Sequence, residues 1–213
     1  MPKPRKVHTS ALCWVPSVEQ QSSIQSLRAL YDKQFDRWPP HVNVLYPFVP
    51  VDDFEDGAVA LASAISALPP FEVVLRRLCH FNHGKKSVTA WLEPECSDSA
   101  WVTLQTLAQA TFPHCTDQTN RGPFVAHLTI GQFADEAALA PLRAQAADFE
   151  HIRCTVGELC LISRAGQDEP FLVHWRVPIG GGNARREASP DRGVWLPLRQ
   201  GWPSSPAGGE QTV

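Results

Sequence analysis

Two short runs, HVNVLYPF (His41–Phe48) and HLTIGQF (His127–Phe133), constrain this chain more than any other feature. Each has the length and the β-branched and aromatic content of a strand. Yet each opens with a histidine and carries a small hydrogen-bonding residue two positions on. Side chains alternate across a strand, so positions i and i+2 project to one face. His41 and Asn43 therefore share a face, as do His127 and Thr129, while Val42, Val44, Leu128 and Ile130 point into apolar packing. The fold must bury one face of both strands and leave an imidazole and a polar partner on the other.

The surroundings of the two runs repeat as well. SALCWVP (Ser10–Pro16) reads as a strand, and Ile24, Leu27, Tyr31 and Phe35 recur at helical spacing, which predicts a helix from Ser22 to Lys33. After the first histidine strand, Phe54, Ala58, Leu61, Ile65 and Leu68 mark a helix that stops before Pro69-Pro70. FEVVLRRLCHF (Phe71–Phe81) reads as a long strand and NHGKK as a turn. The order then begins again. SVTAWL is a strand, SDSA offers N-cap residues, and Trp101, Leu104, Ala108 and Thr111 line a helix. The His127 strand follows, then a helix with Leu139, Leu142, Ala146 and Phe149 on one face. The strands Cys154–Ser163 and Phe171–Val177 close the pattern.

Each half thus reads strand, helix, histidine strand, helix, strand. The repeat predicts an α+β domain over 10–178 with two pseudo-symmetric lobes, about 10–81 and 87–178. Each lobe would hold a small sheet with flanking helices, and both histidine strands would line a central cleft. Residues 1–9 form an N-terminal extension. Residues 179–213, rich in Gly, Pro and Ser, are expected to be a mostly disordered tail, with Trp195, Leu196, Leu198 and Trp202 able to dock.

With 213 residues, 43% of them hydrophobic, the chain can bury one sizeable core or two small ones. A net charge of −3 argues against extended double-stranded nucleic acid, but leaves room for an RNA end or a small phosphorylated ligand. The six cysteines show no CxxC pair and read as reduced thiols of a cytoplasmic or nuclear protein. The start, MPKPRKVHTS, lacks a signal peptide's apolar stretch, and no run is long enough to span a bilayer. A monomer with no membrane partner is expected.

Two imidazoles suit complementary roles at neutral pH, one as base and one as acid. On opposite sides of a phosphate, one could activate water while the other protonates the departing oxygen. Asn43 and Thr129 could donate to the non-bridging oxygens. This chemistry needs neither metal nor cofactor. Tyr46, Phe48, Phe124 and Phe133 lie near the histidine strands and could stack on a base, although strand aromatics are more often core. Tyr46 is the best of them, and strand parity puts Phe133 on the His127 face too. Arg37 and Arg121, each just ahead of a motif, could hold further phosphates, although single loop arginines are more often solvated. His80 and His83 are three apart in a strand–turn segment and diverge there, so a metal site between them is disfavoured.

HVNVLYPF and HLTIGQF resemble the paired His-x-Thr/Ser signatures of the 2H phosphoesterase superfamily, which includes the 2′-5′ RNA ligase-like proteins. The resemblance covers Ser10 to Val177 in element order, and RWPPHVNVLYPF resembles a branch with asparagine in the first motif. It implies a bilobal fold with the motifs facing across a groove, and metal-independent cleavage of 2′,3′-cyclic phosphates, 2′-5′ linkages or related nucleotides. By motif position it implies His41 and His127 as the catalytic pair, with Asn43 and Thr129 as phosphate binders. It further implies His127 as the base and His41 as the acid. Asn43 departs from the usual hydroxyl residue, and a carboxamide donates with a different reach. Cyclic-phosphate hydrolysis is the first expectation and 2′-5′ cleavage the second. A nucleotide-binding module with little turnover, or a metallohydrolase using His80 and His83, are the rivals from other classes.

Overall fold

β1 (Ser10–Trp14) runs antiparallel between β2 (Val42–Leu45) and β7 (Glu158–Ser163), and this triplet is the centre of a sheet that continues on both sides. The computed structural model describes residues 5–84, 86–97, 99–120, 122–147 and 151–191. Among these, the strand order is β6-β3-β4-β5-β2-β1-β7-β8-β9, antiparallel at every pairing. The remaining strands are β3 (Phe71–Asn82), β4 (Val88–Glu95), β5 (Leu128–Phe133), β6 (Ile152–Val156), β8 (Leu172–Pro178) and β9 (Arg185–Asp191). The helices are α1 (Val18–Tyr31), α2 (Phe54–Ala64), α3 (Ala100–Thr111) and α4 (Ala140–Ala147). No described helix is long and apolar enough to cross a membrane.

Strands do not sort by sequence half. β3 pairs with β4 and β6, whereas β7 pairs with β1 and β8, so each half of the chain lends its last strands to the other. In place of two separate small sheets there is one, joined at its middle by a single residue pair, Val42 opposite Leu128. The strand expected over Cys154–Ser163 is two strands split at Gly157, and they pair at distant positions in the sheet order. Glycine in a strand pattern often marks such a break.

The core lies on one face of the sheet. Leu12 and Trp14, Val42 and Val44, and Leu128 and Ile130 pack there with Ile24 and Leu27 of α1, Phe54 and Leu61 of α2, and Trp101 and Leu104 of α3. A smaller cluster, Ala11, Cys13, Cys160, Ile162, Phe171 and Val173, occupies the opposite face of the β1–β7–β8 region, with Trp38 and Tyr46 packed against it. The alternation along β1 feeds both layers.

The first helix starts four residues before the expected Ser22 because Pro16-Ser17 ends β1 and caps it. The Gln20 Oε1 accepts from the Ser17 backbone N–H at 3.1 Å, one half of a capping box. The polar first turn hides this start from an apolar-spacing search. Two boundaries of the expected domain also move. Val7 forms a bridge to Phe48, so the N-terminal extension is tied down from there. The segment expected to begin the tail supplies β9, which pairs with β8 through Trp175–Arg186 and Arg176–Arg185. Arg185 of β9 meets Glu158, and Arg176 meets Glu158 and Glu187, so ion pairing holds a strand that has little apolar pattern. Residues 192–213, with Trp195 and Trp202, and Phe149 lie outside the described residues.

Candidate active site

The Val42–Leu128 pair is the pivot of the site. The ladder is formed at this one pair, and its antiparallel register carried one residue each way would bring His41 beside Thr129 and Asn43 beside His127. Residues so placed share a face of the sheet. Val42 and Leu128 are wholly buried in the core, so the four motif side chains project from the other face. The two motifs are thereby related by a local twofold about one pair of residues. The histidine strands line the site as neighbours in one sheet.

A second feature repeats with them. In each motif strand the ladder slips by one residue at position i+3 from the histidine. Leu12 and Cys13 of β1 pair with Leu45 and Asn43, leaving Val44 as the extra residue. Ala90 and Trp91 of β4 pair with Gly131 and Thr129, leaving Ile130 extra. A β-bulge of this kind reverses the alternation beyond it. It turns Tyr46, rather than Leu45, to the motif face, and it turns Gln132 there in place of Phe133.

Both imidazoles are held in the same way. His41 Nδ1 lies 2.7 Å from the Pro39 carbonyl oxygen, and His127 Nδ1 lies 2.8 Å from that of Val125. A carbonyl only accepts, so Nδ1 carries the hydrogen in each ring and Nε2 is the nitrogen that gains or loses a proton.

The surroundings differ. His41 stacks on Trp38 with ring centroids 4.6 Å apart and planes at 16°, and Trp38 in turn packs on Phe171 at 3.8 Å and Tyr46 at 5.3 Å. Burial pushes the His41 pKa down to about 4; its bond to Pro39 opposes this, the Arg28 guanidinium and His127 lower it further, and Asp32 raises it. His127 meets the edges of Phe81 at 5.1 Å and Trp91 at 5.9 Å. Burial lowers its pKa too, against the Val125 bond and with help from His83.

A cavity of about 160 Å³ opens beside His41 and Thr129, lined also by Trp38, Thr89, Gln132 and the Arg28–Asp32 pair. Arg28 and Asp32 are one helical turn apart at the end of α1, with side chains only 1% and 2% exposed. Arg28 Nε donates to Asp32 Oδ2 at 2.8 Å, and Nη2 donates to the Trp38 carbonyl at 2.9 Å. Gln132 Nε2 donates to Asp32 Oδ1 at 3.0 Å. The helix end therefore clamps both the segment that leads into His41 and the strand that leads out of Thr129. A Cβ on Gly131 would come within 2.7 Å of the Tyr31 Cβ, so glycine is what lets α1 approach β5.

The other residues expected at the site divide. Thr129 lines the cavity, whereas Asn43 does not, and the Asn43 Oδ1 is buried without a hydrogen-bond partner. Tyr46 reaches the motif face, but its hydroxyl donates to the His8 carbonyl at 3.2 Å and its ring abuts Trp38. Phe133 is not on the His127 face: the bulge at Ile130 turns it to the core, where it meets Tyr31 at 5.6 Å. Phe124 is 9% exposed and packs in the core, and Phe48 is wholly buried, so neither offers a ring to a base. Arg37 is drawn to the β7–β8 loop by Asp168 at 3.3 Å and the Gln167 carbonyl. Arg121 lies outside the described residues. His80 and His83 diverge, His80 to Glu136 at 3.2 Å and His83 to Thr89 at 3.2 Å.

Sequence reasoning missed Trp38, Arg28, Asp32, Gln132 and Thr89. Trp38 was within reach, since it stands three residues ahead of His41 in RWPPH. Arg28 and Asp32 have the spacing of an ordinary i,i+4 pair on a helix surface, and only tertiary packing buries them.

The chain belongs to the 2′-5′ RNA ligase superfamily, whose family model matches residues 15–168. Solved structures that match include Escherichia coli LigT complexed with ATP, at 15% identity and a TM-score of 0.53 over 83% of this chain and 99% of LigT. LigT complexed with phosphate matches at 14% identity and a TM-score of 0.55, over 82% of this chain and 99% of that one. TT0787 of Thermus thermophilus matches at 14% identity and a TM-score of 0.52, over 82% of this chain and 99% of that one. At these identities the likeness establishes the fold, and the α+β, 2H phosphoesterase-like architecture expected from the sequence is the one found. No curated protein matches the chain.

Proposed function

We propose that the chain is a metal-independent phosphodiesterase that opens the 2′,3′-cyclic phosphate of RNA ends or nucleotides by two-histidine acid–base catalysis. The observation that carries this reading is the local twofold. It supports a site in which two imidazoles, each with Nε2 left to titrate, share a face of the sheet with Asn43 and Thr129. Superfamily membership supports a phosphodiesterase activity, and LigT has been crystallised with phosphate and with 3′-AMP.

In the reaction, one neutral Nε2 takes a proton from water as its oxygen bonds to phosphorus. The bond from phosphorus to one ribose oxygen breaks, and the protonated Nε2 of the other histidine gives that oxygen its proton. The product is a phosphomonoester with a free neighbouring hydroxyl. Asn43 and Thr129 donate to the non-bridging oxygens, where charge grows. The lower proton affinity of His41, boxed against Trp38 and near Arg28, favours it as the base and His127 as the acid. This is the reverse of what the family resemblance implies.

The test is turnover in the presence of EDTA with 2′,3′-cyclic nucleotides, cyclic-phosphate-ended RNA and 2′-5′ oligonucleotides as separate substrates. Hydrolysis of a cyclic phosphate is expected. Cleavage of the 2′-5′ oligonucleotides alone would move the substrate class. Binding without any hydrolysis would make the chain a nucleotide-binding module, and activity abolished by EDTA would remove the two-histidine scheme.

A further inference from the structure

β4 borders the motif strand β5, and its register carries more of the site than the two motifs account for. Trp91 pairs with Thr129, and beyond the bulge Thr89 pairs with Gln132. Thr89 and Trp91 therefore share the face of His127 and Thr129. Thr89 lines the cavity with His41 and Thr129, and its Oγ1 is 3.2 Å from the His83 Nε2. Trp91 is 6% exposed and its Nε1 is buried with no hydrogen-bond partner, although the ring edges onto His127 at 5.9 Å. An indole N–H can only donate, and a buried donor without an acceptor costs free energy that a bound acceptor would recover. A hydroxyl has one hydrogen to give. When His83 Nε2–H donates to Thr89 Oγ1, that hydrogen is released toward the cavity.

We propose that β4 supplies two further donors to the bound phosphoryl group, the Thr89 hydroxyl and the Trp91 indole N–H, with His83 as the positioning residue that turns the hydroxyl toward it. This rests on the reading that a phosphoryl group sits between His41 and His127. It extends the binding set from the motif residues Asn43 and Thr129 to a third strand. It also gives the exposed β3–β4 hairpin a part in substrate recognition.

The experiment measures inorganic phosphate binding by calorimetry and kcat and KM on cytidine 2′,3′-cyclic phosphate, for Thr89→Val, Thr89→Ser, Trp91→Phe and His83→Ala. Thr89→Val and Trp91→Phe keep shape and remove a donor, and circular dichroism checks that each is folded. Each is expected to weaken phosphate binding and to lower kcat/KM by roughly 10- to 100-fold, as for the loss of one donor to a charged group. Thr89→Ser should stay within about threefold of the wild type, since the donor is kept. His83→Ala should resemble Thr89→Val and add nothing to it in the double variant, the mark of a residue acting through another. Wild-type phosphate binding in Thr89→Val and Trp91→Phe would overturn the proposal, as would equal loss in Thr89→Ser and Thr89→Val. If the wild type binds phosphate but hydrolyses nothing, the proposed function fails. Loss of that binding in the two variants would then still support the β4 donors.

Discussion

The two histidines are equivalent in backbone and unlike in surroundings. Each precedes a strand by one residue, bonds the carbonyl two residues upstream through Nδ1, and is followed by a bulge at i+3. His41, however, lies against a stack of Trp38 and Phe171 that is anchored to a buried ion pair. His127 lies against Phe81 and Trp91 beside an exposed hairpin. A duplicated motif thus yields two imidazoles that burial holds below their ordinary proton affinity, in different surroundings. The backbone makes the pair, and on the proposed reading the neighbouring side chains decide which imidazole is the base.

The largest effect that can test this comparison is deletion of either ring. His41→Ala and His127→Ala are each expected to abolish measurable turnover in a folded protein. The double variant should be little worse, because residues acting as one unit are not additive. Near-wild-type rates in either single variant would break the pairing. A substrate with a much better leaving group than a ribose oxygen then sharpens it, since departure no longer needs an acid. With His41 as base, His127→Ala should recover much of its rate on that substrate and His41→Ala should not. The opposite recovery restores the roles that the family resemblance implies.

Next in size are the polar partners. Thr129→Ala and Asn43→Ala should slow catalysis by roughly 10- to 1,000-fold, the scale of losing one donor to a charged transition state. Asn43→Thr should keep much of the activity if a donor is all that the position requires. A harmless Asn43→Ala would mean that the first motif works through His41 alone.

The Arg28–Asp32 pair separates the two environments most directly. Asp32→Leu leaves a guanidinium buried at 1% exposure, and chemical denaturation should show a loss of about 3–5 kcal/mol. Arg28→Met/Asp32→Leu removes both charges and should recover most of that loss. If the single variant unfolds no more easily than the wild type, the clamp on the Trp38 segment is not structural.

The smallest effect is a proton. Burial holds His41 neutral, with a pKa of about 4, and lowers the proton affinity of His127 as well, and an anion placed between them raises both. Binding of sulfate, an anion that does not itself titrate at pH 6, should therefore take up protons, seen as a calorimetric enthalpy that depends on the buffer's ionisation heat. The stability counterpart has a definite sign. His41 binds protons more readily unfolded than folded, so stability falls as pH drops from about 6.5 to 4. His41→Ala should flatten that part of the profile.

Much of this was legible in the sequence because it is local. The histidines, their i+2 partners and the element order follow from short-range periodicity, which a strand or helix cannot disguise. Phe133 was misplaced because one extra residue, Ile130, reverses a count that assumes an unbroken pleat. The sorting of strands was hidden for a different reason. Nothing within Phe71–Asn82 or Glu158–Ser163 encodes which neighbour across the sheet each will meet. Gln132 and Thr89 were invisible as site residues because only the pairing of β4 with β5 brings them to the cavity.

That exchange of strands bears on how the chain comes to fold at all. When the first half leaves the ribosome, β1 lacks its neighbour β7, and β3 has neither β4 nor β6 to lie against. The amino-terminal half is therefore obliged to wait, with an unfinished sheet, until residues near 160 have been made. Pairings so distant along the chain are slow to find, and the exposed edges are open to wrong partners meanwhile. Separately expressed halves, cut in the β3–β4 hairpin, should each be unfolded or aggregated alone and should rebuild the site only when mixed.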